Sequence, residues 1–264
     1  MRNTEGKRAV AEKYYNINSD GFSVRCKLYT DGKLPIRALI IAFHGFGGHK
    51  ENRAAARFAD RAISRHPGTA VLCFDLPCHG EDGQKKLSLQ ACDAYYDLIL
   101  RDSREKYPEA VFYALAVSFG AWLCLREFLI NGNPFKRVIL RCPSLRMAEA
   151  VKTRILTPED LEKLGKGKDT LAGFDRKVKI NQTFLDDLQV ADIYYNNFMD
   201  YADDILVQHG TKDEVIPIDE VREFCDRNVI ELDEIQNADH RFTDPGLMDR
   251  AIANALRFLF EAGT

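Results

Sequence analysis

Three residues able to carry nucleophilic catalysis occur along the chain in the order Ser118, Asp213, His240. Ser118 ends the apolar run AVFYALAV (110–117) and precedes the apolar, helix-sized stretch FGAWLCLREFLING (119–132), so it falls in a turn between a buried strand and a helix. Ala116-Val117-Ser118-Phe119-Gly120 has the form small-x-Ser-x-Gly, the spacing that lets strand and helix backbones approach while a strained turn lifts the hydroxyl. A serine there can also be a helix cap. To attack a carbonyl it needs a base, and the base needs a carboxylate that fixes its tautomer. Asp213 lies in the loop that ends ILVQHGTKDEVIP (205–217), and His240 lies in NADHRF (237–242), just after the next strand.

Acyl transfer also requires donors for the oxyanion. AFHGFGGHKEN (42–52) leaves a strand through His44-Gly45 into a glycine-rich turn, and the backbone amides of Phe46 and Phe119 are the assigned donors. Gly45, Gly47 and Gly48 could instead cradle a phosphate, but their spacing matches neither common phosphate-binding motif. His44 and His209 at strand ends, and His66 in a loop, are expected to be structural.

The elements that must position these residues follow from periodicity. GFSVRCKLYT (21–30) alternates, as a half-buried antiparallel strand does. Short, continuously apolar runs follow at 37–43, 69–76, 110–117, 136–142, 204–210 and 228–235, as expected for strands buried on both faces. Helix-sized segments separate most of them, at 50–65, 87–107, 119–132, 218–228 and 246–262. This alternation predicts an α/β fold, a mostly parallel central sheet with helices on both faces and reactive loops at the carboxyl ends of the strands. The rhythm breaks over 144–203, which holds TPEDLEKLGKGKD (157–169), DRKVKIN (175–181) and the aromatic DIYYNNFMDY (192–201). The expected organisation is a core over 1–143, a cap or lid insertion over 144–203, and the rest of the core over 204–264.

Composition narrows the function classes. The 264 residues are 45% hydrophobic, enough for one large core, and 37 basic against 40 acidic residues leave a net charge of −3 with no field to draw nucleic acid or an anionic membrane. No apolar run reaches the length of a membrane span, and MRNTEGKRAVAEKYY lacks the apolar middle of a secretory signal, so a cytoplasmic location is expected. Seven scattered cysteines fit free buried thiols better than disulfides or a zinc site.

HGFGGH (44–49), FDLPCHGEDG (74–83), AVSFG (116–120), HGTKDEVIP (209–217) and ADHRF (238–242) together resemble the α/β-hydrolase superfamily, from about residue 20 onward apart from the insertion. The forms HGF, HGTKD-x-x-IP and ADH-x-F are most similar to compact bacterial esterases of the cinnamoyl and feruloyl type, with relatives among monoacylglycerol lipases and serine aminopeptidase-like hydrolases. Two positions depart from the family pattern. Ala116 and Cys78 stand where glycine is usual, which puts the backbone around Cys78 in question; its thiol is read as a small filler rather than a reactive group. The resemblance implies ester hydrolysis through Ser118, His240 and Asp213 and an acyl-enzyme, on a small-molecule ester, with no metal or organic cofactor. Tyr194, Tyr195 and Phe198 of the insertion, with Tyr201, Asp192 and Asn196 near them, are candidates for an aromatic acyl pocket, although Ile193, Tyr194 and Phe198 could equally form a core face. The expected substrates are esters of small aromatic or short-chain acids. A peptidase or a monoacylglycerol lipase-like enzyme on the same triad is the alternative, the peptidase requiring a carboxylate in the insertion for which Glu159, Asp160 and Glu162 are the candidates. A binding protein that merely keeps the fold is the non-catalytic alternative, and oligomeric state is not legible.

Overall fold

The computed structural model describes residues 9–261 apart from Asp175. The first eight residues of the stretch read for a signal, Asp175 of the alternating piece and the last three residues of the chain lie outside it.

The chain opens with a hairpin, β1 (Ala11–Ser19) and β2 (Phe22–Thr30), paired in register from Ala11 opposite Thr30 to Ser19 opposite Phe22. Asp20 and Gly21 turn it with φ of 55° and 79°, the two positive values a two-residue turn needs to follow the strands' twist. β3 (Ala38–Phe43), β4 (Thr69–Phe74), β5 (Val111–Val117), β6 (Arg137–Arg141), β9 (Ile205–Gly210) and β10 (Glu231–Ile235) complete an eight-stranded sheet of order β1-β2-β4-β3-β5-β6-β9-β10. β1 and β2 run antiparallel to their neighbours, and the pairs from β4 to β10 are parallel.

The central strands are apolar throughout because successive side chains enter two different cores. Leu39, Ile41 and Phe43 face one with Leu72, Ala116 and Leu140; Ile40 and Ala42 face the other with Val71, Leu115 and Ile139. α1 (Arg53–Arg65) and α8 (Pro245–Phe260) cover the second face through Phe58, Ala62, Ile252 and Leu256. α2 (Leu89–Lys106), α3 (Phe119–Asn131) and α7 (Ile218–Asn228) cover the first. Polar residues fix where helices begin: the side chains of Asn52, Ser88 and Asp244 accept amide hydrogen bonds at the starts of α1, α2 and α8.

Between β6 and β9 lie α4 (Met147–Ala150), a π-helical turn (Val151–Ile155), α5 (Pro158–Gly165), the ribbon β7 (Thr170–Ala172) and β8 (Val178–Ile180), α6 (Gln182–Val190) and a 3-10 turn (Met199–Asp204). Thr157 and Asp160 form a reciprocal capping box at the start of α5. This segment has no core of its own. Val151, Leu164, Ile180, Phe184 and Leu188 join the main core beneath it.

Candidate active site

Ser118 sits between β5 and α3 with φ 52° and ψ −112°, and its side chain makes no capping hydrogen bond, which removes the helix-cap reading. A non-glycine residue at such a φ is strained, and strain of this kind concentrates at functional sites. The turn is close-packed: a Cβ on Gly120 would lie 2.7 Å from both the Phe43 and the His44 carbonyl oxygens. Ala116, where the family pattern has glycine, is fully buried, and its methyl is accommodated within the core.

Asp213 lies in the loop after β9, held from two sides. Its Oδ1 accepts the amides of Val215 and Ile216, each at 2.8 Å, and its Oδ2 lies 2.8 Å from His240 Nδ1. Burial acts to raise the Asp213 pKa, but the hydrogen bond and charge of His240, with the Ile216 amide, outweigh it and hold the carboxyl below its usual value. The aspartate is therefore ionised and fixes His240 with Nδ1 as donor and Nε2 free. His240 and Ser118 line the same cavity, of about 820 Å³.

Cys142, which drew no attention in the sequence, completes the surroundings of Asp213. It follows β6 with φ 44°, and its thiol lies within 4.8 Å of an Asp213 carboxylate oxygen. Burial first, then the charge of Asp213, push its pKa well up, so the sulfur stays protonated. Cys142, Asp213 and His240 present ligand atoms within 4.8 Å of one another, the only such trio of potential metal ligands among the described residues. A metal there would have to displace the proton between His240 and Asp213, so the trio reads as a hydrogen-bonded histidine–aspartate pair with a thiol beside it.

The turn after β3 is pinned by His44: Nδ1–H donates to the Gly45 carbonyl at 2.8 Å and Nε2 accepts the Leu76 amide at 3.0 Å. Burial, then the neighbouring His79, lower its pKa well below the usual value, so His44 is neutral and structural. A second tie runs from Lys50, whose amide and ammonium both donate to buried Asp75, at 2.7 and 2.9 Å. Phe119 opens α3, so its amide has no partner within the helix. The Phe46 and Phe119 rings meet edge to face at 5.8 Å, which fixes the two candidate oxyanion donors relative to each other. His66 stacks on Phe260, and His209 donates to the Ile216 carbonyl beside Asp213.

The insertion's aromatic candidates must be corrected. Tyr194 and Phe198 are fully buried against Phe224 of α7, and Tyr194 lies under the Arg146 and Arg227 guanidinium groups, 4.0 and 4.8 Å from its ring. Tyr195 is 74% exposed and bonds to Arg146. Tyr201 packs on Phe128, and Asp192 accepts the Tyr194 amide. None of them lines the cavity. The insertion reaches it instead through Ser144, Met147, Ala150, Ile155, Phe174 and Arg176. Cys78 adopts φ 66°, the conformation a glycine takes readily, so the loop keeps a glycine-like backbone despite the substitution.

Residues 40–255 match the model of the alpha/beta hydrolase family. Among solved structures, the chain is similar to Est1E from Butyrivibrio proteoclasticus with ferulic acid bound, at 19% identity and a TM-score of 0.74 over 94% of this chain and 98% of that one. It is similar to a soluble variant of monoglyceride lipase from Saccharomyces cerevisiae in complex with a substrate analogue, at 14% identity and a TM-score of 0.74 over 98% of each chain. The esterase Pf2001 of Pyrococcus furiosus follows at 16% identity and a TM-score of 0.67, over 94% of this chain and 91% of its own. No curated protein sequence matches the chain. No helix among the described residues is long and apolar enough to cross a membrane.

Proposed function

The chain belongs to the alpha/beta hydrolase family, and from that premise we propose that it is a serine esterase acting on esters of small aromatic or short-chain acids. The observation that carries this reading is the strained, uncapped Ser118 sharing one cavity with a His240 oriented by Asp213 at 2.8 Å. His240 takes the Ser118 proton as the oxygen attacks the ester carbonyl, and the Phe46 and Phe119 amides receive the negative charge. The proton passes to the leaving alcohol. Water activated by the same histidine then adds to the acyl-enzyme, releasing the acid and regenerating Ser118. Residues 144–203 act as the cap, a role supported by Met147, Ala150, Ile155 and Phe174 on the cavity wall.

A peptidase that grips an amino terminus is disfavoured, since no carboxylate lines the cavity among the described residues, and Asp160 is spent on Thr157 and Thr170. The test is hydrolysis of p-nitrophenyl acetate, butyrate and decanoate by wild type and Ser118→Ala, with fluorophosphonate labelling in parallel. The expected result is turnover that falls with chain length and disappears with the serine. Preference for the decanoate would point to lipase-like acyl selection, and failure of the fluorophosphonate to label Ser118 would remove the esterase reading.

A further inference from the structure

The charged side chains on the wall of the cavity are of one sign. Lys50, Arg53, Arg57, Arg141, Arg176 and Arg241 line it, and no aspartate or glutamate does among the described residues. Lys50 is neutralised by Asp75 and Glu81, and Arg57 by Asp249. Arg141 is different. It ends β6, opposite Val117 on β5, and only 4% of it is exposed. Among the described residues no carboxylate meets its guanidinium. Nη2 donates to the neutral Gln208 amide oxygen at 3.1 Å, Nη1 reaches only the Met248 thioether at 3.4 Å, and Nε is buried without a partner. The Phe242 ring packs 5.4 Å from its carbon centre. The nearest carboxylate in this network, Asp233, lies beyond Gln208, whose Nε2 donates to it at 3.0 Å.

A guanidinium removed from water and left without an anion is a costly arrangement, and burial accordingly lowers the Arg141 pKa to about 10. The strand pairing places the residue beside the nucleophile. The Ser118 amide donates to the Arg141 carbonyl at 2.9 Å, and Val117, Phe242 and Met248 line the same cavity as both side chains. A planar, forked donor with unused N–H groups matches a carboxylate in geometry as well as charge.

We propose that this part of the cavity is a carboxylate subsite built on Arg141, and that the preferred esters carry a free carboxylate, as half-esters of short dicarboxylic acids do. The inference rests on the esterase reading for its substrate class. The carboxylate takes the place of the Met248 contact at Nη1 and satisfies Nε, while the ester carbonyl reaches Ser118.

The experiment compares mono-p-nitrophenyl adipate with p-nitrophenyl hexanoate, matched in acyl length and differing in the terminal charge. Wild type is expected to favour the adipate by about tenfold or more in kcat/KM, the range of a charge-assisted contact. In Arg141→Met that ratio should fall at least about tenfold, and in Arg141→Lys it should fall less. A wild-type ratio near one overturns the proposal. A second measurement does not depend on turnover: adipate and hexanamide are titrated into Ser118→Ala while its Tm is followed. Adipate alone should raise Tm, and the effect should vanish when Arg141→Met is added. Adipate binding without hydrolysis of either ester would keep the subsite and reject the esterase reading; hydrolysis with no adipate shift and no charge preference would do the reverse.

Discussion

At the scale of single residues, the site depends on which groups carry protons. Asp213 receives the Val215 and Ile216 amides and His240 Nδ1, three donors for one carboxylate. An asparagine could still accept the two amides through its oxygen, but its NH₂ would face His240 and force the proton onto Nε2, the atom that in the proposed mechanism receives the serine proton. Asp213→Asn is therefore expected to lower kcat on a short p-nitrophenyl ester by about 10³ to 10⁴, with Tm little changed. Retention of more than about a tenth of wild-type turnover would mean that the carboxylate does not set the histidine's tautomer. Ser118, Asp213 and His240 stood out in the sequence because each is a polar residue in a loop that an apolar strand feeds. Cys142 and Arg141 did not, because RVILRC reads as a strand end and nothing in it says which way the last side chains turn. The alternation that sends Ile139 and Arg141 to one face, and Val138 and Leu140 to the other, becomes informative only when the neighbouring strands are in place.

Among the elements, the tightest fit is where α3 leaves β5. Gly120→Ala would press a methyl against the Phe43 and His44 carbonyls at 2.7 Å, and the helix would have to move away from the turn after β3. Both candidate oxyanion donors lie at that seam. Overpacking of this kind costs about 1–3 kcal/mol, so Tm should fall by a few degrees while kcat falls at least about tenfold. Thermal melts and initial rates check the pair; an unchanged Tm with full turnover would mean that the helix yields there at no cost. The buried parallel strands and their helices were legible because both faces of each strand are apolar. β1 was not: only Ile17 of its nine residues is buried, so it lacks the apolar stripe that marks a strand. The Asp20-Gly21 pair at the start of GFSVRCKLYT was the available hairpin signal. In the insertion, Tyr194 and Phe198 bury themselves against α7, as a core face would, but in turns rather than a helix. Their apolar surface was readable; the direction it faced depended on α7, more than 20 residues further along.

For the molecule as a whole, the two cores enclose neutral imidazoles that acid must charge. Burial lowers the pKa of His79 to about 4 and holds His44 and His209 below their usual values. As pH falls through 6.5 the unfolded chain binds these protons and the folded one does not, so each contributes stability that is lost toward acid. Glu127 and Glu220, raised to about 7 chiefly by burial, work in the opposite sense. The clean comparison is therefore between wild type and His79→Asn, whose amide can replace the donor that His79 Nδ1 offers the Pro77 carbonyl. Between pH 7.5 and 5 the stability of the variant relative to wild type should rise by about 2 kcal/mol in denaturant titrations. A difference that does not change with pH would mean that His79 takes up its proton in the folded state at an ordinary pH.

The seven thiols have a practical consequence of another kind. Six are buried, and Cys78 alone is part-exposed, with its sulfur 4.0 Å from the Lys179 carbonyl of β8. The native chain thus carries a ready attachment point for a single fluorophore or spin label at the seam between the sheet's loops and the insertion. Any opening of that seam when a substrate enters can be watched on the unmodified sequence, with no cysteine added or removed.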